Sequence, residues 1–435
     1  MGMETTKIGL VGMGTVGTGV ARLLLDQSDR LARHAGTRLE LAEVVVKDLS
    51  RVRDIELPPG ILSNDINRVT KNTEIHTAVL LVGGLEPART YALQLLESGK
   101  HLVTANKALL AEHGPELFDR ARELNRSIAF DASVGGGIPI ITNICQCFTA
   151  NQIKSLRGIL NGTTNFIVSQ MDEKNADYAT ALAEAQQLGY AEADPTMDVS
   201  GADAAQKLAI LAHIAFGARV HWSEIPRVGI DTLDSADLRY ARELGYRIKL
   251  IAEAKLRESG LEAHVTPTLV KLGRPLAEVR QAYNAISVVG NAVGDLFYHG
   301  QGAGQMPTAS AVVADIIDTV SGRSQITFRN LELWSKRTMS LRLCDFKQLP
   351  GRYYLRFLVQ DHPGVLAEIT GVLGRHQISI ASIIQHEPAM AIGQRLVPLV
   401  IMTHQAAEGA TQKAVEEISQ LRSVNSPAVK MRVLD

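Results

Sequence analysis

Within residues 189–207 the chain gathers four acids and a lysine: Glu192, Asp194, Asp198, Asp203 and Lys207. Asp203 and Lys207 are four positions apart, so a helix starting near residue 202 places them on one face, with Ile210, Leu211 and Ile214 continuing it. A pair of this spacing is often a solvated surface ion pair that contributes little. The apolar continuation argues instead for an amine and a carboxylate drawn partly out of water. Such an amine can take the proton of an alcohol that loses hydride and return it to the aldehyde. Lys107 offers a second amine. It follows Val103-Thr104-Ala105-Asn106 at the end of an expected parallel strand, where open α/β sheets place their ligands.

Hydride chemistry needs a carrier, and the start of the chain offers a place for one. Gly12-Met13-Gly14-Thr15-Val16-Gly17 matches G-x-G-x-x-G directly after a strand and at the start of a helix. In that context Gly12 permits a tight turn, Gly14 lets the backbone approach a pyrophosphate, and Gly17 lets the helix pack on the strand. After the second expected strand come both signs of charge. Asp48 suits the ribose hydroxyls of NAD, whereas Lys47 and Arg51 suit the phosphate of NADP, and the expectation leans to NADP with NAD as the alternative. Gly83 and Gly84 follow a later strand and would let a second loop approach the same cofactor.

The elements that must position these groups follow from periodicity. Strands expected over residues 7–11, 39–46, 78–82, 101–104 and 128–131 alternate with helical stretches, the pattern of a doubly wound parallel sheet. Past Gly135-Gly136-Gly137 and Pro139 the character changes. Helices over 178–188 and 202–216 and strands over 155–160, 248–255, 262–269 and 285–289 describe a second, α+β domain with a mixed sheet. A helix over 308–320 is expected to return to the first domain. From residue 353 the order strand, helix, strand, strand, helix, strand is βαββαβ, a ferredoxin-like unit. The expected domains are 1–140, 141–322 and 350–435, with 323–349 as connector.

Composition narrows the classes. The 435 residues carry a formal net charge of −1 with no long run of one sign, which leaves no electrostatic footprint for nucleic acid. No stretch approaches the length of a membrane helix. The start enters a strand directly, without the pattern of a signal peptide. The three cysteines include a C-x-C pair at Cys145 and Cys147, which fits neither a disulfide framework nor a zinc site, so a reducing cytoplasm is expected. Their context also lacks the activated thiolate that an aldehyde dehydrogenase acting through a thioester would need.

The motifs GLVGMGTVG, VTANKALLA, SVGGGIPII and GILNGTTNFI, with the span from Ala185 to Lys207, resemble the homoserine dehydrogenase family, and the tail from Tyr353 resembles its ACT regulatory domain. The resemblance implies a Rossmann-type nucleotide domain, a catalytic and oligomerisation domain, and an ACT domain. It implies the reversible, NAD(P)-dependent interconversion of L-homoserine and L-aspartate 4-semialdehyde, on the route to threonine, methionine and isoleucine. By position, Lys207 would move the proton, Lys107 would contact substrate and cofactor, Asp203 would orient the reacting side, and Glu192 would bind the substrate amino group. Gly302 and Gly304 would approach the cofactor. The family also holds a structural Na+ or K+. Here Asp131, where a glutamate is usual, and the carbonyls of Val134, Gly136 and Ile138 would be its ligands. In the tail, Asp361, His362, Gly364 and Val365 form the expected effector turn, with threonine as the implied ligand and a homodimer or homotetramer as the implied assembly. The competing expectation is a non-catalytic nucleotide or amino-acid sensor built on the same domains.

Overall fold

The computed structural model describes residues 3–335, 341–386 and 396–435. The expected connector 323–349 therefore includes residues 336–340, which lie outside the described residues, as does residue 395 at the start of an expected strand. Two compact units emerge, and neither is a single consecutive stretch. The first comprises Met1–Leu156, Asp203–Ile225 and Tyr283–Arg342; the second comprises Arg157–Ala202, Pro226–Ala282 and Leu343–Asp435.

In the first unit, strands β1 (Thr5–Val11), β2 (Arg38–Val45), β3 (Leu62–Ser63), β4 (Ile75–Leu80), β5 (His101–Thr104) and β6 (Ile128–Ala129) form a sheet in the order β3-β2-β1-β4-β5-β6. All five neighbouring pairs are parallel. The order reverses at β1, so a crevice opens beyond the C-terminal ends of β1 and β4, the place where such sheets bind ligands. Ile8, Leu10, Val44, Val79 and Val103 are fully buried, as expected of strands covered on both faces. Helix Gln305–Val320 comes back to this core. Its Val312 and Ile316 join the same apolar cluster, and the helix lies against helix Thr15–Asp26 so closely that a Cβ on Gly19 would sit 2.9 Å from the Ala309 Cβ.

Strand β7 (Ile153–Ile159) leads out of the first unit. In the second unit, β8 (Tyr246–Arg257) and β9 (Gly260–Lys271) form a long antiparallel hairpin. The first unit contains the shorter hairpin β10 (Tyr283–Gly290) and β11 (Gly294–Gln301). The C-terminal module has β12 (Pro350–Gln360), β13 (Ile380–Gln385), β14 (Leu396–Thr403), the short β15 (Ala406–Ala407) and β16 (Val424–Leu434). Helices Val365–Arg375 and Glu408–Ile418 pack on one apolar core with Tyr353, Phe357, Val397 and Ile401. This is the βαββαβ unit. Its last strand does more than close it, because β16 pairs in parallel with β9 through Arg432↔Thr268, Val433↔Leu269 and Leu434↔Val270. The junction is strongly charged: Glu262 on β9 takes Arg257 at 2.6 Å, and Arg432 bridges Glu262 at 3.5 Å to Glu408 at 2.9 Å.

Two imidazoles in the first unit are held neutral. His101 Nδ1 accepts the Ser127 N–H at 3.0 Å, and burial, with Arg126 and His76 nearby, pushes its pKa down to about 4. His213 Nε2 accepts the Trp334 N–H at 2.7 Å while Nδ1–H faces the Ala218 carbonyl at 3.2 Å; burial is again the largest cause of a pKa near 4. Both values lie below the unfolded value of about 6.5, so the stability these groups contribute is present above pH 6.5 and is lost as pH falls through about 4. Urea unfolding between pH 7 and 4 should show a loss of up to about 3 kcal/mol per imidazole. The acid limb should be shallower in His213→Asn, and an unchanged slope would remove His213 from this account.

Candidate active site

The nucleotide crevice is built by three glycines with different tasks. Gly12, with φ +98°, turns the chain after β1, and a Cβ there would lie 2.7 Å from the Leu81 carbonyl carbon. Its N–H donates to Val45 O at 2.8 Å, and the Leu81 N–H donates to Val11 O at 2.7 Å, so the turn is pinned to both neighbouring strands. A Cβ on Gly17 would fall 2.3 Å from Gly12 O, so only glycine lets the helix start this close to the strand. At Gly14 a Cβ would meet nothing within 4 Å. That position faces open space, and Gly14 is exposed. Helix Thr15–Asp26 begins beside it, with first-turn amides that an anion can satisfy. Met13 is buried, Val16 is partly buried and Thr15 is exposed.

The crevice has a volume of about 720 Å³, and Gly12, Met13, Gly14, Lys47, Asp48, Arg51, Arg53 and Val82 are among the residues lining it. Lys47 and Arg51 therefore stand where the sequence expected a phosphate partner. Asp48 accepts from the Ser50 hydroxyl at 2.6 Å and the Ser50 N–H at 2.8 Å, and these bonds lower its pKa. Arg53 had no signal in the sequence. Its guanidinium donates to Arg51 O at 2.7 Å and Asp48 O at 2.6 Å, which ties the basic loop together.

The two candidate amines come from two helices. Lys107 is the first residue of helix Lys107–Glu123, and Asp203 and Lys207 lie in helix Ala202–Phe216. One Asp203 oxygen is 2.8 Å from Lys207 Nζ and the other is 3.1 Å from Lys107 Nζ. The carboxylate is 7% exposed, Lys207 12% and Lys107 36%, so this is no surface pair. From Ala202 to His213 every residue except Lys207 is buried. Two lysine amines gather at one carboxylate, a cluster of donors suited to an oxygen that gains negative charge during reaction. Lys107 at a helix N-terminus is opposed by the helix dipole; Asp203 compensates it.

Asn106, which the sequence reading quoted without assigning a task, caps the Lys107 helix by accepting the Leu109 N–H at 2.9 Å. An asparagine immediately before a helix is a readable cap signal. Gly83 and Gly84 lie exposed on the loop after β4, with Gly84 at φ +75°. Gly302 and Gly304 precede helix Gln305–Val320, and a Cβ on Gly136 would lie 2.5 Å from Gly302 O. The segments 134–138 and 302–304 are thus in backbone contact. Glu192 belongs to the second unit and is exposed, in the segment after helix Tyr178–Gln187.

Asp131 is 4% exposed and accepts the Thr142 N–H at 2.8 Å; burial raises its pKa to about 6. A second buried acid, Asp315, accepts the Asp131 N–H at 2.9 Å, and burial pushes it well above the usual carboxylate range. Among the described residues neither acid is paired with a lysine or arginine. Both line a half-open pocket of about 50 Å³ with Thr142, Ser324 and Thr327. The carboxyl oxygens of Asp131 and Asp315 are the donors a hard cation prefers, set beside the Cys145 thiol and apolar side chains in the same lining. In the second unit, Gly364 at φ +103° opens helix Val365–Arg375; Asp361 and His362 are exposed and Val365 is buried. No described helix is long and apolar enough to cross a membrane.

The glycine geometry separates fold from binding. Gly14→Ala should leave the stability of the cofactor-free protein within about 1 kcal/mol yet weaken NADPH binding about tenfold or more. Gly17→Ala should destabilise the cofactor-free protein by about 2 kcal/mol. Thermal unfolding and NADPH fluorescence titration read both, and normal NADPH affinity in Gly14→Ala would contradict the assignment.

Comparison with known proteins agrees with this construction. Residues 12–131 match the family model "Homoserine dehydrogenase, NAD binding domain", residues 139–317 match "Homoserine dehydrogenase", and residues 353–423 match "ACT domain". The chain is 43% identical to a homoserine dehydrogenase of Pseudomonas aeruginosa over 99% of each chain. The solved homoserine dehydrogenase of Thiobacillus denitrificans superposes with a TM-score of 0.90 at 40% identity, over 100% of this chain and 99% of that one. A hyperthermophilic archaeal homoserine dehydrogenase mutant in complex with NADPH aligns with a TM-score of 0.61 at 26% identity, over 72% of this chain and 97% of that one. The parallel nucleotide sheet, the mixed-sheet second domain, the C-terminal ACT module and the lysine-bearing buried helix therefore belong together: the chain is a member of the homoserine dehydrogenase family, the NAD(P)-dependent oxidoreductases that act on homoserine.

Proposed function

We propose that Lys207 exchanges a proton with the substrate hydroxyl as L-homoserine and L-aspartate 4-semialdehyde interconvert. The nicotinamide cofactor supplies the hydride chemistry. Asp203 holds the Lys207 amine in one orientation and shares its charge with Lys107, which contacts the substrate and the cofactor edge. Glu192 receives the substrate ammonium. The observation that carries this reading is the almost buried Lys207 amine held 2.8 Å from a buried carboxylate. Lys207→Ala should lower kcat by about a thousandfold or more, measured as absorbance at 340 nm with homoserine and cofactor, while NADPH affinity stays within about twofold. Retained turnover would remove the role.

The cofactor is NADP in this reading, with NAD the weaker alternative. Gly12, Met13, Gly14, Thr15, Val16 and Gly17 cradle the pyrophosphate; Gly83, Gly84, Gly302 and Gly304 border the cofactor; and Lys47 and Arg51 meet the additional phosphate. Support comes from Lys47 and Arg51, which line the crevice; the archaeal relative solved with NADPH is consistent with it. Arg51→Ala should raise the KM for NADP about tenfold and leave that for NAD within about twofold. Equal losses for both would argue against phosphate recognition.

The domains 1–140, 141–322 and 350–435 divide nucleotide binding, substrate binding with dimer or tetramer formation, and regulation. Threonine at Asp361, His362, Gly364 and Val365 is the proposed feedback signal, supported by the uncapped helix N-terminus at that turn. Na+ or K+ between Asp131 and the carbonyls of Val134, Gly136 and Ile138 is the proposed structural ion, and the enzyme works in the cytoplasm. Initial rates with and without threonine test the first. Thermal midpoints in buffers containing or lacking Na+ and K+ test the second, and no difference in either would retire it.

A further inference from the structure

The loop that leaves β4 and the helix that carries Lys107 are joined by one side chain. Asn106 Nδ2 donates both of its hydrogens to that loop, one to Val82 O at 3.0 Å and one to Gly84 O at 2.6 Å. Its Oδ1 accepts the Leu109 N–H at 2.9 Å and so caps the helix that starts at Lys107. The Asn106 main chain is itself held: its N–H donates to Thr104 Oγ1 at 3.2 Å, and that hydroxyl donates to Leu80 O at 2.9 Å, the last residue of β4. Every hydrogen-bonding group of the amide is used: the nitrogen ties down the loop after β4, and the oxygen caps the helix of Lys107.

The two linked segments differ in what they face. Val82 lines the nucleotide crevice. Gly83 has no protein atom within 4 Å of where a Cβ would lie, and Gly84 has φ +75°, a backbone with no side chains of its own to fix it. On the other side, Lys107 Nζ rests on Asp203. A glycine pair without side-chain anchors loses considerable conformational entropy when ordered, and here two side-chain hydrogen bonds supply the order.

We infer that Asn106 is a positioning residue: its amide holds the Gly83–Gly84 loop in register with Lys107, so that the cofactor and the amine meet at a fixed separation. This rests on the reading of the crevice as the cofactor site. An ordinary helix cap would need only the oxygen; serine, threonine and aspartate serve as well as asparagine there. Aspartate cannot donate to carbonyls, and serine is too short to span to them while capping the helix.

Asn106→Asp and Asn106→Ser therefore keep the cap and remove both loop bonds, one with added charge and one without. Hydrogen–deuterium exchange of the cofactor-free protein should show faster exchange over residues 82–86 in both variants, with the thermal midpoint shifted little. The NADPH dissociation constant should rise about tenfold in both, and kcat at saturating cofactor should fall because Lys107 loses its register. Unchanged exchange over 82–86 would overturn the inference, whether or not the cofactor reading holds. Faster exchange with unaltered NADPH affinity and kcat would also overturn it, and so would a defect confined to the aspartate variant. NADPH binding by the parent protein tests the cofactor reading separately.

Discussion

A carboxylate placed almost out of water must be neutralised, and Asp203 is neutralised twice, by Lys207 from its own helix and by Lys107 from the helix after β5. Removing either amine leaves the other pair, but removing the acid takes from both lysines the carboxylate they share, and breaking a buried ion pair from one side is strongly destabilising. The helix of Asp203 and Lys207 is buried almost throughout, so neither residue can swing to solvent to relieve an imbalance. The Lys107 helix is fixed by the Asn106 cap. Much of the first unit can be understood as what keeps these two helices where one acid serves both.

The nucleotide crevice obeys a complementary constraint, which is absence of side chains. Gly12 and Gly17 are glycine because backbone atoms occupy the space a Cβ would take, whereas Gly14 is glycine where that space is empty. The first two are required by the fold, and the third is not. Helix Gln305–Val320 crosses back over a great length of sequence to cover this same core, and the glycine-rich segment before it reaches the backbone of Gly136. One stretch therefore seals the apolar core and borders the region where the buried acids Asp131 and Asp315 meet.

Local patterns were legible where one element carries the whole signal. The strand, glycine turn and helix at residues 7–26 could be read directly, as could the Asp203–Lys207 spacing and the βαββαβ order of the tail. What spacing could not reveal was long-range sharing: that Asp203 also serves Lys107, or that Asp315 joins Asp131, because only the folded chain brings those positions together. Strand β11 was not foreseen, because its residues are mostly exposed and show no buried face. Helix Ser28–Ala35 was not identified at all. Arg53 acts through backbone carbonyls of its own loop, which leaves no mark in residue type or spacing. The parallel join between β9 and β16 depends on a pairing that hydrophobic alternation does not encode.

In the proposed reaction a nearly buried lysine amine, oriented by an acid shared with a second lysine, faces the reacting oxygen. A crystal structure with NADP and L-homoserine bound tests it most directly. The account predicts Lys207 Nζ within hydrogen-bond distance of the substrate hydroxyl, about 2.6–3.2 Å, with Asp203 still touching both amines. A complex in which that nitrogen points to bulk water, with the hydroxyl held by other groups, would contradict it.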